Sequence, residues 1–173
     1  MHQSNRLFWQ YCKDKYPQFF YGKIKVIEYD SCMINGSVRD FFGPVDKYIG
    51  IDWRKGPNVD LVSLAHKVEL IDRFDTVISA SLLEHDPYWE RSIPNMVKHL
   101  DSNGILLLSW GAYLNSPHCL DHAPDGLFHA LKAQLVIDKL RSLNIYVHEF
   151  GYEGRKFEKS LCRHGGDGMG EVY

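Results

Sequence analysis

The chain has no Cys-x-x-Cys pair, no long apolar run and no excess of basic charge, and each absence narrows what it does. Its four cysteines, Cys12, Cys32, Cys119 and Cys162, are far apart. With no signal-like apolar stretch at the start, they read as reduced thiols in a cytoplasmic protein. The strongest apolar run, around Ile105 to Leu108, is far too short to cross a bilayer, so no membrane is expected as a partner. A net charge of -2 and a pI near 6.5 argue against a general nucleic-acid binder, because nonspecific phosphate affinity comes from clustered Lys and Arg. Internal repeats, low-complexity tracts and dividing linkers are also missing. What remains is a chain of 173 residues, 45% hydrophobic and 24% charged, with material for one sizeable core.

The informative stretch runs from Lys23 to Trp53 and holds two apolar runs that each end in an acid. Ile24, Val26 and Ile27 lead into Glu28; Tyr48, Ile49 and Ile51 lead into Asp52. Both have the length and β-branched content of buried parallel strands. Asp30, Ser31, Asn35, Gly36 and Ser37 supply turn chemistry between them, before a short helix-like piece around Val38, Phe41 and Phe42. Strand, loop, short helix and strand make the first half of a nucleotide-binding α/β unit. Asp52 lies 22 residues after Asp30, where an acid suits the two hydroxyls of an adenosine ribose. Equally, it can simply end a strand and begin the turn Trp53-Arg54-Lys55-Gly56-Pro57.

The rest of the chain alternates in the same way. Ser4 to Phe20 is an aromatic-rich helix stopped by Pro17, either a lid or a helix packed on the sheet. Val59 to Val62 and Phe74 to Ser79 are the next strand candidates, the latter stopping at small residues where a ligand can approach the backbone. Asp86 and Pro87 start a helix whose apolar face is Trp89, Ile93, Met96, Val97 and Leu100; Pro94 predicts a kink or a fresh start at Ser92 or Ile93. A fifth strand, Ile105 to Trp110, follows a turn at 101–104 in which Gly104 tolerates positive φ. Gly111 to Pro124 reads as a loop, Asp125 to Asn144 as a helix and Ile145 to Phe150 as a sixth strand. In the loop, His118 and His122 have the spacing of two metal ligands, but Pro117 and Pro124 break the helix that spacing needs, and no metal is expected.

The order VIEYD, YIGIDW, FDTVISASLLEHDPYW, an amphipathic helix and DSNGILLLSW resembles the class I S-adenosylmethionine-dependent methyltransferases over residues 23 to 150, most of the chain. The resemblance implies a Rossmann-like three-layer α/β/α sandwich with a mostly parallel sheet and a seventh strand, short or truncated, at Gly170 to Tyr173. It implies one domain over 1–173, with a helical lid at 1–21, a core at 22–152 and a charged, glycine-rich tail at 153–173. The cofactor implied is S-adenosyl-L-methionine. Asp52 would take the ribose hydroxyls, Trp53 the adenine face, and Ala65 and His66 the adenine edge. Glu28, Asp30, Ser31, Asn35, Gly36 and Ser79 would surround the methionine end, with Glu84 and His85 at the rim as candidate catalytic acid or base, or as ordinary helix-start residues.

This chain departs from the family pattern in its first loop, where E-x-G-x-G-x-G is replaced by Glu28 to Gly36 with only Gly36 retained. Asp30 and Asn35 tolerate left-handed backbone and can preserve the turn. An acid at Asp30 either holds the cofactor's amino group or repels its carboxylate. Leu64 stands where the family often has an acid. The expected activity is methyl transfer to a small-molecule acceptor, in a site that is open or completed by a partner chain. The alternative is a catalytically inactive module of this fold that binds a partner protein. A dinucleotide-dependent oxidoreductase fits less well, because the loop lacks G-x-G-x-x-G.

Overall fold

A computed structural model describes residues 3–34, 36–111, 131–153 and 169–172. Its centre is a seven-stranded sheet of order β3-β2-β1-β4-β5-β7-β6. The strands are β1 (Gly22–Tyr29), β2 (Val45–Asp52), β3 (Leu61–Val62), β4 (Phe74–Ala80), β5 (Leu100–Trp110), β6 (Phe150–Glu153) and β7 (Met169–Val172). The first five pair in parallel, and β7 runs antiparallel between β5 and β6. Among the described residues three α-helices, α1 (Gln3–Lys15), α2 (Trp89–His99) and α3 (Ala133–Ser142), flank the sheet.

The two-residue period of the strands divides the apolar side chains between two cores. Ile27, Val77, Leu106 and Leu108 face α2 and α3 and pack with Ile93, Met96, Val136, Ile137 and Leu140. Val26, Ile78 and Leu107 point the other way, onto Phe8, Trp9 and Cys12 of α1 and the 3-10 turn Val38–Phe41. Phe8 and Trp9 are fully buried there. Each contributes about 2 kcal/mol by leaving water. Pro17 excludes helical backbone at Tyr16, and α1 gives way to a 3-10 turn at Pro17–Phe19.

Several boundaries differ from the sequence reading for identifiable reasons. In place of a fresh start at Ser92 or Ile93, α2 is one helix through Pro94. Ser92, Ile93 and Met96 are fully buried along it, and the Ser92 hydroxyl donates to Asp86, so tertiary contacts outweigh the lost backbone bond. β5 starts at Leu100 rather than Ile105, taking the expected turn into the strand at a register shift opposite Phe74 to Thr76. Gly104 is therefore not a positive-φ turn residue. It is needed for proximity, since a Cβ there would lie 2.9 Å from the Asp75 carbonyl. The third strand shortens to Leu61–Val62, at the edge of the sheet formed by the described residues.

The sixth strand moves from 145–150 to Phe150–Glu153 because α3 closes with a longer cap. Asn144 takes φ 60°, its N–H donates to the Arg141 carbonyl, and the Ile145 N–H donates back to Leu140, both at 3.0 Å. That is a Schellman ending, which holds Ile145 beside the helix. The expected loop after Gly111, with His118, Cys119, Asp121 and His122 in it, and residues 125–130 of the helix expected from Asp125 lie outside the described residues; Leu131 and Lys132 are not helical, and α3 begins only at Ala133, after an extended Lys132.

Candidate functional site

β1, β2 and β4 end side by side, and the loop leaving β1 folds onto the end of β2. Asp30 turns the chain with φ 65°, which its short polar side chain tolerates. Ser31 N–H then donates to the Ile51 carbonyl at 2.9 Å, Cys32 N–H to Asp52 Oδ2 at 3.0 Å, and Met33 N–H to the Pro57 carbonyl at 3.1 Å. The Ser31 hydroxyl donates to the Asn58 carbonyl at 3.1 Å. Such close approach requires missing side chains on the facing strand and turn. A Cβ at Gly50 would lie 2.0 Å from the Asn58 oxygen and 2.6 Å from Ser31 Oγ, and one at Gly56 would lie 2.5 Å from Cys32 Sγ.

Asp52 is the hinge of this arrangement. It is 3% exposed, and its second oxygen, Oδ1, accepts from Arg54 N–H at 3.1 Å. Two amide donors fix the carboxylate, while each oxygen keeps capacity for one more donor. Beside it opens a cleft of about 580 Å³, part of it open to solvent, walled by Tyr29, Asp30, Asp52, Trp53, Leu64, Ala65, Leu82, His85 and Tyr88. The Tyr29 hydroxyl lies 2.9 Å from Nδ1 of buried His99, which fixes the ring as part of the wall. An apolar, aromatic cleft with few placed polar groups is the general form of a small-molecule site.

Carboxyls dominate its electrostatics. Asp30 is held well above the usual aspartate range, by loss of water first and then by Asp52, Glu84 and Glu28. Burial pushes Glu28 up to about 7, against a 2.7 Å hydrogen bond from the Tyr48 hydroxyl and the pull of Arg39. Burial likewise raises Glu84 to about 7, although Glu84 Oε1 accepts from Gly111 N–H at 2.8 Å. No ion pair to Asp30, Asp52 or Glu84 occurs among the described residues.

Of the residues singled out in the sequence, Asp30, Asp52, Trp53, Ala65 and His85 line the cleft. Glu28 is buried beneath it on the α1 side of the sheet, Ser31 is buried in the loop, and Gly36 is exposed at φ 99°. His66 packs on the Tyr88 ring at 4.5 Å, and desolvation lowers its pKa. Ser79 and Glu84 are buried at the end of β4; Ser79 Oγ and Glu84 Oε2 have no hydrogen-bond partner among the described residues. Asn35 lies outside the described residues.

Tyr29, Leu82 and Tyr88 join the wall without having been singled out. The available signal for Tyr88 was an aromatic residue directly after Asp86-Pro87, exposed ahead of an amphipathic helix. Asp86, read only as a cap, also reaches the cleft, and its Oδ1 accepts from Tyr88 N–H at 2.8 Å, which sets that ring's position.

Five parallel strands continued by an antiparallel β7 and a β6 that runs with the first five, with a carboxylate-bearing cleft beyond β1 and β2, form the fold of the class I S-adenosylmethionine-dependent methyltransferases. Solved structures agree. A S-adenosylmethionine-dependent methyltransferase from Clostridium acetobutylicum superposes with a TM-score of 0.71 at 10% identity, covering 96% of this chain and 89% of its own. One from Mesorhizobium loti gives 0.68 at 12%, covering 95% of both chains. The Burkholderia thailandensis 1,6-didemethyltoxoflavin-N1-methyltransferase, with 1,6-didemethyltoxoflavin and S-adenosylhomocysteine bound, gives 0.68 at 13%, covering 96% of this chain and 75% of its own. No protein-family model and no curated protein matches the chain.

Proposed function

We propose that the chain is a methyltransferase that binds S-adenosyl-L-methionine in the cleft beside Asp52 and acts on a small-molecule acceptor. The observation that carries this reading is the fixed, buried Asp52 carboxylate at the end of β2, with acceptor capacity to spare and aromatic walls on either side. Asp52 receives the ribose hydroxyls. Trp53 and Tyr88 offer faces to the adenine, and Ala65, with His66 behind Tyr88, borders its edge. Asp30 borders the methionine end, with Glu28, Ser31 and Ser79 buried around it. The bound cofactor supplies a methyl group already activated on a sulfonium.

The chain's own work is then positioning and the management of one proton. His85, on the cleft wall, is the residue to take a proton from the acceptor. Glu84, buried and bonded to the Gly111 amide, orients the turn that presents it and keeps its own proton near neutrality. Thiols at Cys12 and Cys32, neither in a disulfide, suit a cytoplasmic protein.

Calorimetric titration with S-adenosylmethionine and S-adenosylhomocysteine, with a nicotinamide dinucleotide as control, tests the reading. Micromolar binding, about -8 kcal/mol, is expected. Asp52→Ala should weaken it about a hundredfold, the worth of two hydrogen bonds to a charged group. A folded protein that binds neither adenosyl ligand, or an Asp52→Ala variant of full affinity, overturns it and favours a partner-binding module.

A further inference from the structure

Helix α2 carries a polar stripe beside its apolar face. Ser92, Asn95 and His99 recur at spacings of three and four, so they share one line of the helix, and each is bonded to a different piece of the cleft wall or its support. The Ser92 hydroxyl donates to Asp86, whose other oxygen holds the Tyr88 N–H. The Asn95 amide nitrogen spends both hydrogens on the 3-10 turn Ala65–Lys67 and its cap, donating to the Ala65 carbonyl at 2.7 Å and to the Val68 carbonyl at 3.0 Å. His99 accepts from the Leu70 N–H on Nε2 at 3.3 Å and meets the Tyr29 hydroxyl at Nδ1. Residues 63–73 join β3 to β4 outside the sheet ladder. Lys67 N–H reaches the Leu64 carbonyl at 2.8 Å, and α2 adds the three bonds from Asn95 and His99.

The contacts of His99 agree on one tautomer. The Leu70 N–H can only donate, so Nε2 is bare; the Asn95 carbonyl, 2.8 Å from Nδ1, can only accept, so Nδ1 carries the hydrogen. From this geometry, and resting on the reading that the cleft takes S-adenosylmethionine, we propose that Asn95 and His99 are positioning residues for the adenosyl group: from behind the wall they hold the Ala65 edge and the Tyr29 ring at the separation that the base requires. Ala65 and Tyr29 line the cleft, and they come from separate stretches of chain that meet on α2. A wall without these bonds is free to shift, and a displacement of about 1 Å is enough to lose a fitted ligand.

The hold is sensitive to protons. Protonation of His99 places a hydrogen on Nε2, where it faces the Leu70 N–H, and that bond is lost. Burial lowers the pKa of His99, and the charges of Lys98 on α2 and Arg73 before β4 act in the same direction, against the Asn95 and Leu70 backbone contacts. Tyr29 of β1, the titratable group bonded to the ring, keeps its proton, because burial raises its pKa. The neutral, holding form of His99 therefore prevails near neutrality and gives way in acid. His99→Gln keeps an acceptor for the Leu70 N–H and does not titrate.

The test titrates the intact protein, Asn95→Leu, His99→Leu and His99→Gln with S-adenosylhomocysteine and with 5′-methylthioadenosine, which keeps the adenosine and lacks the amino-acid end. A thermal melt checks that each variant is folded. At about pH 7.5 both Leu variants are expected to weaken both ligands equally, by about tenfold, while His99→Gln stays within about twofold of the intact protein. On lowering the pH to about 5, the intact protein should lose affinity several-fold and His99→Gln markedly less. The cleft carboxyls titrate in both proteins, so the comparison isolates His99. Folded Leu variants of full affinity, a loss confined to S-adenosylhomocysteine, or a pH dependence unchanged in His99→Gln overturns the positioning role and leaves the cofactor site standing. If a Leu variant fails to fold, the pH comparison with His99→Gln decides. An intact protein that binds neither ligand overturns the cofactor reading, and this proposal with it.

Discussion

At the end of β2 both oxygens of the buried acid are engaged by backbone amides, and the site beside it is open. Asp52 holds Cys32 and Arg54, and the cleft begins at its remaining lone pairs. At the end of β4, a short distance along the same sheet edge, the acid is half engaged and enclosed. Glu84 uses Oε1 on Gly111 and leaves Oε2 buried without a partner among the described residues, as are Ser79 Oγ, Ser109 Oγ and Asn5 Oδ1. The first region is rigid before any ligand arrives. The second holds polar groups whose desolvation is uncompensated, a cost tolerated where a ligand or a proton makes up the balance.

The largest expected effect comes from breaking the rigid region at its tightest point. Gly50→Ala places a methyl group 2.0 Å from the Asn58 carbonyl, a backbone atom that cannot swing aside. Denaturant unfolding should show a loss of about 3 kcal/mol, at the upper end of overpacking costs, together with loss of adenosyl-ligand binding. A Gly50→Ala variant of normal stability would mean that the β1 loop is not anchored as described.

The enclosed region responds to protons instead. Glu28 and Glu84 have folded-state pKa values near 7, above the ordinary 4.5. Their protons are bound more tightly in the native state, so this contribution is complete below about 4.5 and is lost as pH rises through about 7. The Tm of the ligand-free protein should therefore fall between about pH 5 and pH 8. Glu84→Gln keeps an acceptor for Gly111 without the titrating proton. It should flatten that fall and stabilise the protein at about pH 8 by on the order of 1 kcal/mol, with Glu28 and Asp30, both raised by burial, supplying the residual slope. An unchanged slope would remove Glu84 from the account.

Smallest is the effect of the aromatic wall. Trp53→Ala should weaken S-adenosylmethionine several-fold, about 1 kcal/mol, with little change in Tm because Trp53 is only half-buried. Trp53→Phe should recover most of the affinity. Failure of the Phe variant to do so would point to a role for the indole N–H rather than the ring face.

How far the site was legible follows the same division. Asp52 was readable because the strand period and the turn after it act over a few neighbouring residues. Trp53, next in sequence, came with it. Tyr29, Leu82 and Tyr88 were not, since they belong to separate stretches of chain that meet only through the sheet order. Gly104 was recognised as special for the wrong reason, because a local pattern cannot tell a glycine that needs positive φ from one pressed against another strand. The displacement of the sixth strand to Phe150–Glu153 reflects a cap at Asn144 whose hydrogen bonds extend one residue past the apparent end of the helix.

The glycine-poor first loop has a counterpart on the other side of the contact it makes. Two pieces of backbone can approach closely if either one gives up its side chains, and here Gly50 and Gly56 do so opposite Ser31 and Cys32. Vacated volume, not the identity of the residue that vacates it, is what the turn requires. A Cys32→Gly substitution would therefore be felt first across the gap, by relaxing the demand for glycine at 56, whereas the Asn58 carbonyl would still require glycine at 50 whatever stands at 31.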